Sequence, residues 1–331
     1  MYRSIGLLVC LSSIMFSARC QTALLDSIVN KAAVKALVEY LSSDSLKGRF
    51  TGTQEARIAA EFIANEFGSA GVNPIAGFDG YFMPFTGQSR YVRNVVTGYN
   101  VLSALGGKTK GKEIIMFSAH YDHIGTISTD PFKINRPRNK SDSIYNGAND
   151  DASGVAAVIL LARYFAALNN NDRTLLFVAF SGEELGLVGS MALSQQLEPN
   201  QIKAVINIEM IGRNPGKQIR PYITGAKFSN LKKLLNTSLM KYDGKKYGKS
   251  FYVDDPYPEE QLFTRSDHWS FAGLGIPAHS IMLTSPRDEY YHSTDDEVDT
   301  LDFDVMTQII HAIALSCESL VKGSSTPNRI K

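Results

Sequence analysis

The chain has 331 residues, of which 44% are hydrophobic and 20% are charged. This is typical of a chain with a packed core and excludes wholesale disorder. Its 34 lysines and arginines stand against 33 acids, a net charge of +1, so charge gives no reason to expect nucleic acid or an anionic membrane as a partner. Three cysteines are too few for a disulfide scaffold.

The first 20 residues have the pattern of a secretory signal peptide. Arg3 precedes an apolar stretch, 5–18, that is too short to span a bilayer. Cleavage after Cys20 predicts a secreted or periplasmic protein with no stable membrane insertion; the alternative, a lipoprotein anchored at Cys20, is disfavoured by Arg19. Cleavage would leave 32 basic against 33 acidic residues, a net charge of −1, and Cys317 as the one remaining cysteine.

Helical and strand patterns alternate along the rest of the chain, 21–331. In chain order, apolar periodicity and buried runs predict helices at 32–40 and 54–67, strands at 94–105 and 113–118, a helix at 153–167, a strand at 174–180, a helix at 185–196, a strand at 204–209, a helix at 227–241, a strand at 278–283 and a helix at 301–321. This alternation predicts an α/β fold with a mostly parallel sheet. No Pro- or Gly-rich linker divides the chain, so one domain is predicted, with loop-like inserts at 126–146 and 248–265.

Polar residues collect directly after the predicted strands, where ligands bind in open α/β sheets. The segments are 119–123 (AHYDH), 147–154 (GANDDASG), 181–184 (SGEE), Glu209 and 290–294 (YYHST). Histidines and carboxylates without a thiolate suit zinc and, less selectively, manganese or cobalt. Two such ions can share and activate a water if a carboxylate bridges them.

The adjacent Glu183 and Glu184 can supply a general base as well as a metal ligand, both of which a metal-assisted hydrolase needs. Neighbouring side chains on an extended segment point in opposite directions. One carboxylate can therefore bind metal while the other faces the substrate as general base.

These motifs, in this order, resemble the co-catalytic zinc aminopeptidase family, which includes the bacterial leucyl aminopeptidases and whose relatives include glutamate carboxypeptidase II and the glutaminyl cyclases. The motifs are His120-x-Asp122, the Asn-Asp-Asp-Ala-Ser-Gly run, Ser-Gly-Glu-Glu-Leu-Gly and Tyr-His-Ser-Thr-x-Asp. The similarity extends from about Leu37 to the C-terminal helix. It implies a three-layer α/β/α zinc-peptidase domain with a mixed, mostly parallel sheet, two Zn²⁺ ions and peptide substrates with a free N-terminus.

The resemblance also implies a role for each matching residue. His120 corresponds to a ligand of the first zinc, Asp150 to the bridging aspartate, and Glu184 and His292 to ligands of the second zinc. Glu209 stands where most members carry aspartate as the last ligand of the first zinc; it keeps the carboxylate and reaches one methylene further.

Three further residues take catalytic roles by the same resemblance. Asp122 corresponds to the carboxylate that orients His120, Glu183 to the general base and Tyr291 to a phenol that stabilises the oxyanion. Asp151 follows a peptide bond that often has unusual geometry in the family.

Two expectations rest on local pattern alone. His123 has no required role and either lines the site or packs. The acidic run 295–297 is expected to open and cap the final helix.

The implied function is a secreted zinc aminopeptidase. A carboxypeptidase or a glutaminyl cyclase on the same scaffold is an alternative, and Arg213 and Arg265 are the candidate donors to a substrate carboxylate. A non-catalytic binding homologue is a third reading, which the presence of every ligand and of Glu183 disfavours. The oligomeric state is not predicted.

Overall fold

The computed structural model describes residues 21–89, 91–92, 94–133, 142–214, 216, 220–284 and 287–331. The predicted signal peptide, 1–20, and part of the first insert, 134–141, lie outside the described residues. The described chain begins with a helical stretch over residues 21–28.

The helices and strands follow the predicted alternation. The strands are β1 Phe82–Gln88, β2 Val95–Leu105, β3 Lys110–His120, β4 Gly125–Thr126, β5 Ile144–Tyr145, β6 Arg173–Phe180, β7 Ile202–Glu209, β8 Tyr222–Ile223, β9 Val253–Asp254 and β10 Ala278–Met282. The helices are α1 Lys31–Leu41, α2 Gln54–Ser69, α3 Ser153–Leu168, α4 Val188–Ser194, α5 Leu231–Tyr247, α6 Trp269–Ala272, α7 Phe303–Ser316 and α8 Glu318–Val321.

Eight strands of the described residues form one mixed sheet in the order β1-β2-β6-β3-β7-β10-β8-β9. The central strands β6, β3, β7 and β10 are parallel to one another. Strands β1 and β2 add antiparallel pairs at one edge, and β8 pairs with β10 in the antiparallel sense. The prediction of a mixed, mostly parallel sheet is confirmed, and the parallel centre brings four strand ends to one edge.

Helices cover both faces of the sheet, because successive side chains of a strand point to opposite faces. In β3, Ile115 and Phe117 join the core beneath α1, α2, α3, α5 and α7. Met116, between them, joins a second core with α4 and α6. All three side chains are fully buried, so the sheet is the middle layer of three.

Strand β1 is an element that the sequence pattern did not predict. It contains Pro84 and Gly87, and both residues are unfavourable in strand interiors. Its place at the edge of the sheet explains why they are tolerated, since an edge strand has one side free of ladder hydrogen bonds.

The C-terminal helix differs from its predicted span, 301–321. It is divided into α7 and α8 at Cys317. The prediction that the acidic run 295–297 caps this helix is wrong: the carboxylate of Asp302 accepts hydrogen bonds from the backbone N–H of Asp304 and Val305. Capping requires a side chain directly before the first turn, and the run lies too far upstream.

Within the described part of the chain, the stretch Ala148–Leu168 is long and apolar enough to cross a membrane by length and composition. Most of it is buried against the sheet, which is what a central core helix of an α/β fold requires.

Arg173 fixes the C-terminal segment beneath the sheet, at the end opposite the strand ends just described. Its side chain is almost fully buried. Its guanidinium contacts Glu113 at 2.6 Å, donates to the carbonyls of Leu320 and Ser325 at 2.9 and 2.7 Å, and donates to the hydroxyl of Thr326 at 2.5 Å.

Arg173→Met should lower the free energy of unfolding by about 3 kcal/mol, because two carbonyls and a carboxylate lose a charged donor. Denaturant unfolding measures this change. Arg287→Met is the matched control, since Arg287 makes its ion pairs on the surface and surface pairs contribute little. Equal effects of the two substitutions would contradict the assignment.

Candidate active site

The carboxyl ends of the parallel strands surround a cavity of about 230 Å³. His120 ends β3, Glu183 and Glu184 follow β6, and Glu209 ends β7. The cavity is lined by Tyr91, Phe132, Asp150, Glu183, Glu184, Gly186, Leu187, Glu209, Thr264, Arg265, Tyr291 and His292. Residues from both predicted inserts reach it, Phe132 from the first and Thr264 and Arg265 from the second.

Four of the five predicted metal ligands are in direct contact around Asp150. Its Oδ1 lies 3.2 Å from Nε2 of His120, and its Oδ2 lies 3.4 Å from Nε2 of His292. The same nitrogen of His292 lies 3.2 Å from Oε2 of Glu184. Asp150 therefore faces one imidazole on each side, as a bridging carboxylate would.

Glu209, the fifth predicted ligand, lines the same cavity and is mostly buried. The amide of Asn207 donates to its Oε2 at 3.4 Å and also donates to the hydroxyls of Ser266 and Ser280, both at 2.8 Å. These contacts hold the longer side chain of Glu209 toward the cavity.

The donor atoms of this cluster fit a divalent cation. Nε2 of His120, both ring nitrogens of His123 and Oε1 of Glu184 are buried and have no hydrogen-bond partner among the described residues. Buried polar atoms without partners are costly, and nitrogen and carboxylate donors of this kind are those that zinc prefers. A cation among them would satisfy the atoms that the protein leaves unpaired.

Asp122 holds the neighbouring loops together more than it orients His120. Its Oδ2 accepts a hydrogen bond from Thr51 at 2.8 Å, and its Oδ1 accepts one from the backbone N–H of Glu183 at 3.3 Å. Nδ1 of His120 is 3.8 Å from the Asp122 carboxylate and 3.1 Å from its backbone carbonyl. The ring is thus oriented mainly by a main-chain oxygen, which differs from the expectation.

The backbone around Asp150 is fixed by Asp296, a residue of the acidic run that the sequence pattern had placed at a helix cap. The Asp296 carboxylate accepts from the backbone N–H groups of Asn149 and Asp150 at 3.0 and 3.1 Å. It is also paired at 2.6 Å with Arg213, whose Nε contacts Asp288 at 2.5 Å. Two of the three guanidinium nitrogens of Arg213, Nε and Nη1, are therefore paired within the protein.

Asp151 joins the start of α3 to the end of β7. Its Oδ1 accepts from the backbone N–H groups of Gly154 and Met210 at 2.9 and 3.1 Å. The peptide bond between Asp150 and Asp151 is cis, the kind of unusual geometry that the resemblance implies here. Gly154 allows the first turn of α3 to lie close to β7, because a Cβ at this position would lie 2.2 Å from the carbonyl oxygen of Ile208.

The crowded carboxylates alter one another's ionisation. Burial, with the charges of Glu184 and Glu209, raises the pKa of Glu183 well above its usual range. Burial likewise raises the pKa of Glu209 to about 7 and that of Asp267 to about 7. Although burial opposes it, the imidazoles of His292 and His123 lower the pKa of Glu184 to about 2.

Tyr291 stacks on the ring of His292, with centroids 3.8 Å apart. Its hydroxyl accepts a hydrogen bond of 3.4 Å from Arg265. Burial and the carboxylates of Asp150 and Glu184 raise the pKa of Tyr291 well above its usual value, so the phenol keeps its proton and can donate it to a hydrogen bond.

Arg49 is a site residue that the sequence analysis missed. Its guanidinium is fully buried and donates to the carbonyls of Tyr121 at 2.6 Å, Asn146 at 2.7 Å and Gly147 at 3.1 Å, as well as to that of Leu41. Burial lowers its pKa to about 10, against the raising effect of nearby carboxylates. Every residue has a backbone carbonyl, so the sequence does not show which carbonyls Arg49 contacts. The one local signal is an arginine between Gly48 and Phe50, two residues that are typical of buried surroundings.

Residues 100–316 match peptidase family M28. The chain belongs to this family. The matched range contains every predicted ligand, whereas Arg49 and Thr51 precede it.

Relatives with curated descriptions and solved structures share parts of the chain or its fold. It is 30% identical over 228 residues to a probable leucine aminopeptidase of Trichophyton verrucosum, covering 66% of this chain and 56% of that protein. The chain thus spans about half the length of the curated relatives it matches. The Legionella pneumophila LapA aminopeptidase shares the fold with a TM-score of 0.66 at 19% identity, covering 92% of this chain and 75% of that one. Porphyromonas gingivalis glutaminyl cyclase does so with a TM-score of 0.68 at 16% identity, covering 89% and 99%.

Without metal, the fold should lose stability as pH rises from 6.5 to 8.5. Neighbouring carboxylates raise the pKa of His292 to about 10, so the folded state retains a proton that the unfolded chain releases above about 6.5. The stability from this proton is complete below pH 6.5 and is lost as pH approaches 10. The pKa values of Glu209 and Asp267 are raised to about 7. Loss of their protons therefore also lowers the stability of the fold as pH rises to about 7.

Zinc should reverse this trend, since it binds deprotonated ligands and its affinity grows with pH. Melting temperatures at pH 6.5, 7.5 and 8.5, with a chelator and with zinc, measure both effects. A chelated protein whose melting temperature stays constant or rises over this range would contradict the charge balance described for the site.

Proposed function

We propose that the protein is a zinc-dependent aminopeptidase with two Zn²⁺ ions. The observation that carries the proposal is the cluster of buried imidazole nitrogens and carboxylate oxygens that face one another without hydrogen-bond partners among the described residues, directly beside Glu183. Membership of family M28 and the names of the curated relatives support the same activity.

The ligands are divided between two positions around Asp150. His120, Asp150 and Glu209 would hold the first ion, and Asp150, Glu184 and His292 the second. When bound, the pair supplies Lewis acidity toward the substrate carbonyl and a lowered pKa for the attacking water.

Glu183 acts as general base and then as general acid. Its backbone is fixed by the hydrogen bond to Asp122, while its side chain lines the cavity beside Glu184 and Glu209. A carboxylate whose pKa is raised can take a proton from water and return it to the leaving amine. Tyr291 donates a hydrogen bond to the oxygen that becomes negatively charged.

The substrates are peptides with a free N-terminus. The names of the curated relatives, probable leucine aminopeptidases, support this substrate class. Arg213, one of two candidate donors to a substrate carboxylate, is held by Asp288 and Asp296. The other candidate, Arg265, lines the cavity, so a carboxypeptidase is the alternative that N-blocked peptides test.

We also propose that residues 1–20 direct export and that the enzyme acts outside the cytoplasm. The short apolar stretch after Arg3 supports this proposal. N-terminal sequencing of the protein recovered from its natural source tests it; a chain that keeps residue 1 would overturn it.

Glu183→Gln should lower kcat by about 100-fold or more and leave two ions bound, because the amide keeps the size of the side chain but cannot accept the proton. Metal analysis and turnover on the same samples measure both quantities. Glu198→Gln, on the surface, is the control. Turnover retained by Glu183→Gln would place the base elsewhere.

A panel of aminoacyl-p-nitroanilides should be cleaved in a zinc-dependent manner, whereas N-blocked peptides should react at least about 100-fold more slowly, since an aminopeptidase requires the free α-amino group of its substrate. Including N-terminal glutaminyl peptides detects cyclisation. Equal cleavage of blocked and free substrates, or cyclisation without hydrolysis, would overturn the aminopeptidase assignment.

A further inference from the structure

His123 lies inside the ligand cluster although the resemblance gives it no role. It follows β3 and is fully buried. Its ring meets that of His292 edge to face at 5.8 Å. Neither ring nitrogen has a hydrogen-bond partner in the described part of the chain. A buried imidazole left unpaired on both sides needs a different explanation from packing.

The distances from His123 are those of a metal ligand. Two donors that each lie about 2.1 Å from the same zinc ion are at most about 4.2 Å apart. Nδ1 of His123 is 2.7 Å from Oε1 of Glu184 and 3.9 Å from Oδ2 of Asp150. His292 meets the same limit toward both carboxylates, at 3.2 and 3.4 Å.

Nδ1 of His123 lies 2.7 Å from Oε1 of Glu184, close enough for an ion pair. Neither atom has a well-aligned hydrogen-bond partner among the described residues. Two ligands of one cation also lie this close, so the contact fits a cation shared by the two side chains.

The surrounding backbone holds the ring in this position. Gly147 packs against it, and a Cβ there would lie 2.6 Å from Cδ2 of His123. The backbone N–H of His123 donates to the carbonyl of Arg49 at 3.4 Å. The imidazole is thus confined between Gly147 and the two carboxylates.

We propose that His123 is a sixth protein ligand, which binds through Nδ1 an ion held between Asp150 and Glu184. The proposal rests on the proposed two-metal centre.

The first test measures metal affinity without substrate. Competition with a chelator should reveal two bound ions in the unaltered protein, and His123→Ala should lower the affinity for one of them about 100-fold. Added imidazole should restore this affinity by filling the vacated space. The control is His311→Ala, since His311 is also mostly buried but bonds the carbonyl of Val29, away from the site.

The second test counts the ligands directly. In the cobalt-loaded protein, each ligating imidazole keeps one exchangeable N–H whose proton resonance is shifted by the metal. Three shifted signals are expected from the unaltered protein, for His120, His123 and His292, and two from His123→Ala. Because the unaltered protein decides the count, a variant that fails to fold does not weaken the test.

The outcomes separate this inference from the proposed function. Two bound ions with only two shifted signals, or a His123→Ala variant with unchanged affinity, would overturn the ligand role of His123. Fewer than two ions in the unaltered protein at saturating metal would instead overturn the two-metal centre.

Discussion

The guanidinium of Arg49 joins segments that are distant in the chain and that carry the ligands of the site. It is fully buried and donates to backbone carbonyls of Tyr121, between His120 and Asp122, and of Asn146 and Gly147, just before Asp150. Arginine suits this task because its planar group offers five donors in fixed directions. The two loops are thereby held at one separation, on which the distance between His120 and Asp150 depends.

The buried carboxylates of the site are of two kinds, which differ in the donors that surround them. Asp151 and Asp296 accept hydrogen bonds from backbone N–H groups and, for Asp296, from Arg213, so the donors that they contact belong to the protein itself. Asp150 and Glu184 face imidazoles instead. The first kind shapes the loops, and the second leaves negative charge that a cation can neutralise. The same residue type thus serves as scaffold or as ligand, according to which donors surround it.

Sequence pattern predicted the features that depend on local periodicity and on strand ends. Buried runs such as 174–180 read as parallel strands, and the polar residues after them were expected at one edge, where His120, Glu184 and Glu209 lie. Features that depend on long-range contacts were not predictable. Asp296 binds a backbone more than 140 positions earlier in the chain, and Arg49 binds main-chain oxygens that any residue offers. Sequence pattern assigns no role to His123, because Gly147 and Glu184, which contact its ring, are distant from it in the sequence.

The contacts of Arg49 also couple the order of the ligand loops to the docking of the N-terminal helices. Arg49 lies between α1 and α2, before the region matched to the family, while its carbonyl partners adjoin the metal ligands. Whatever orders those carbonyls favours the docking of the N-terminal helices, and the docked helices in turn favour the ordered loops; thermodynamic linkage makes the two effects equal. Metal bound beside those carbonyls and the docked N-terminal helices would therefore stabilise each other by the same free energy.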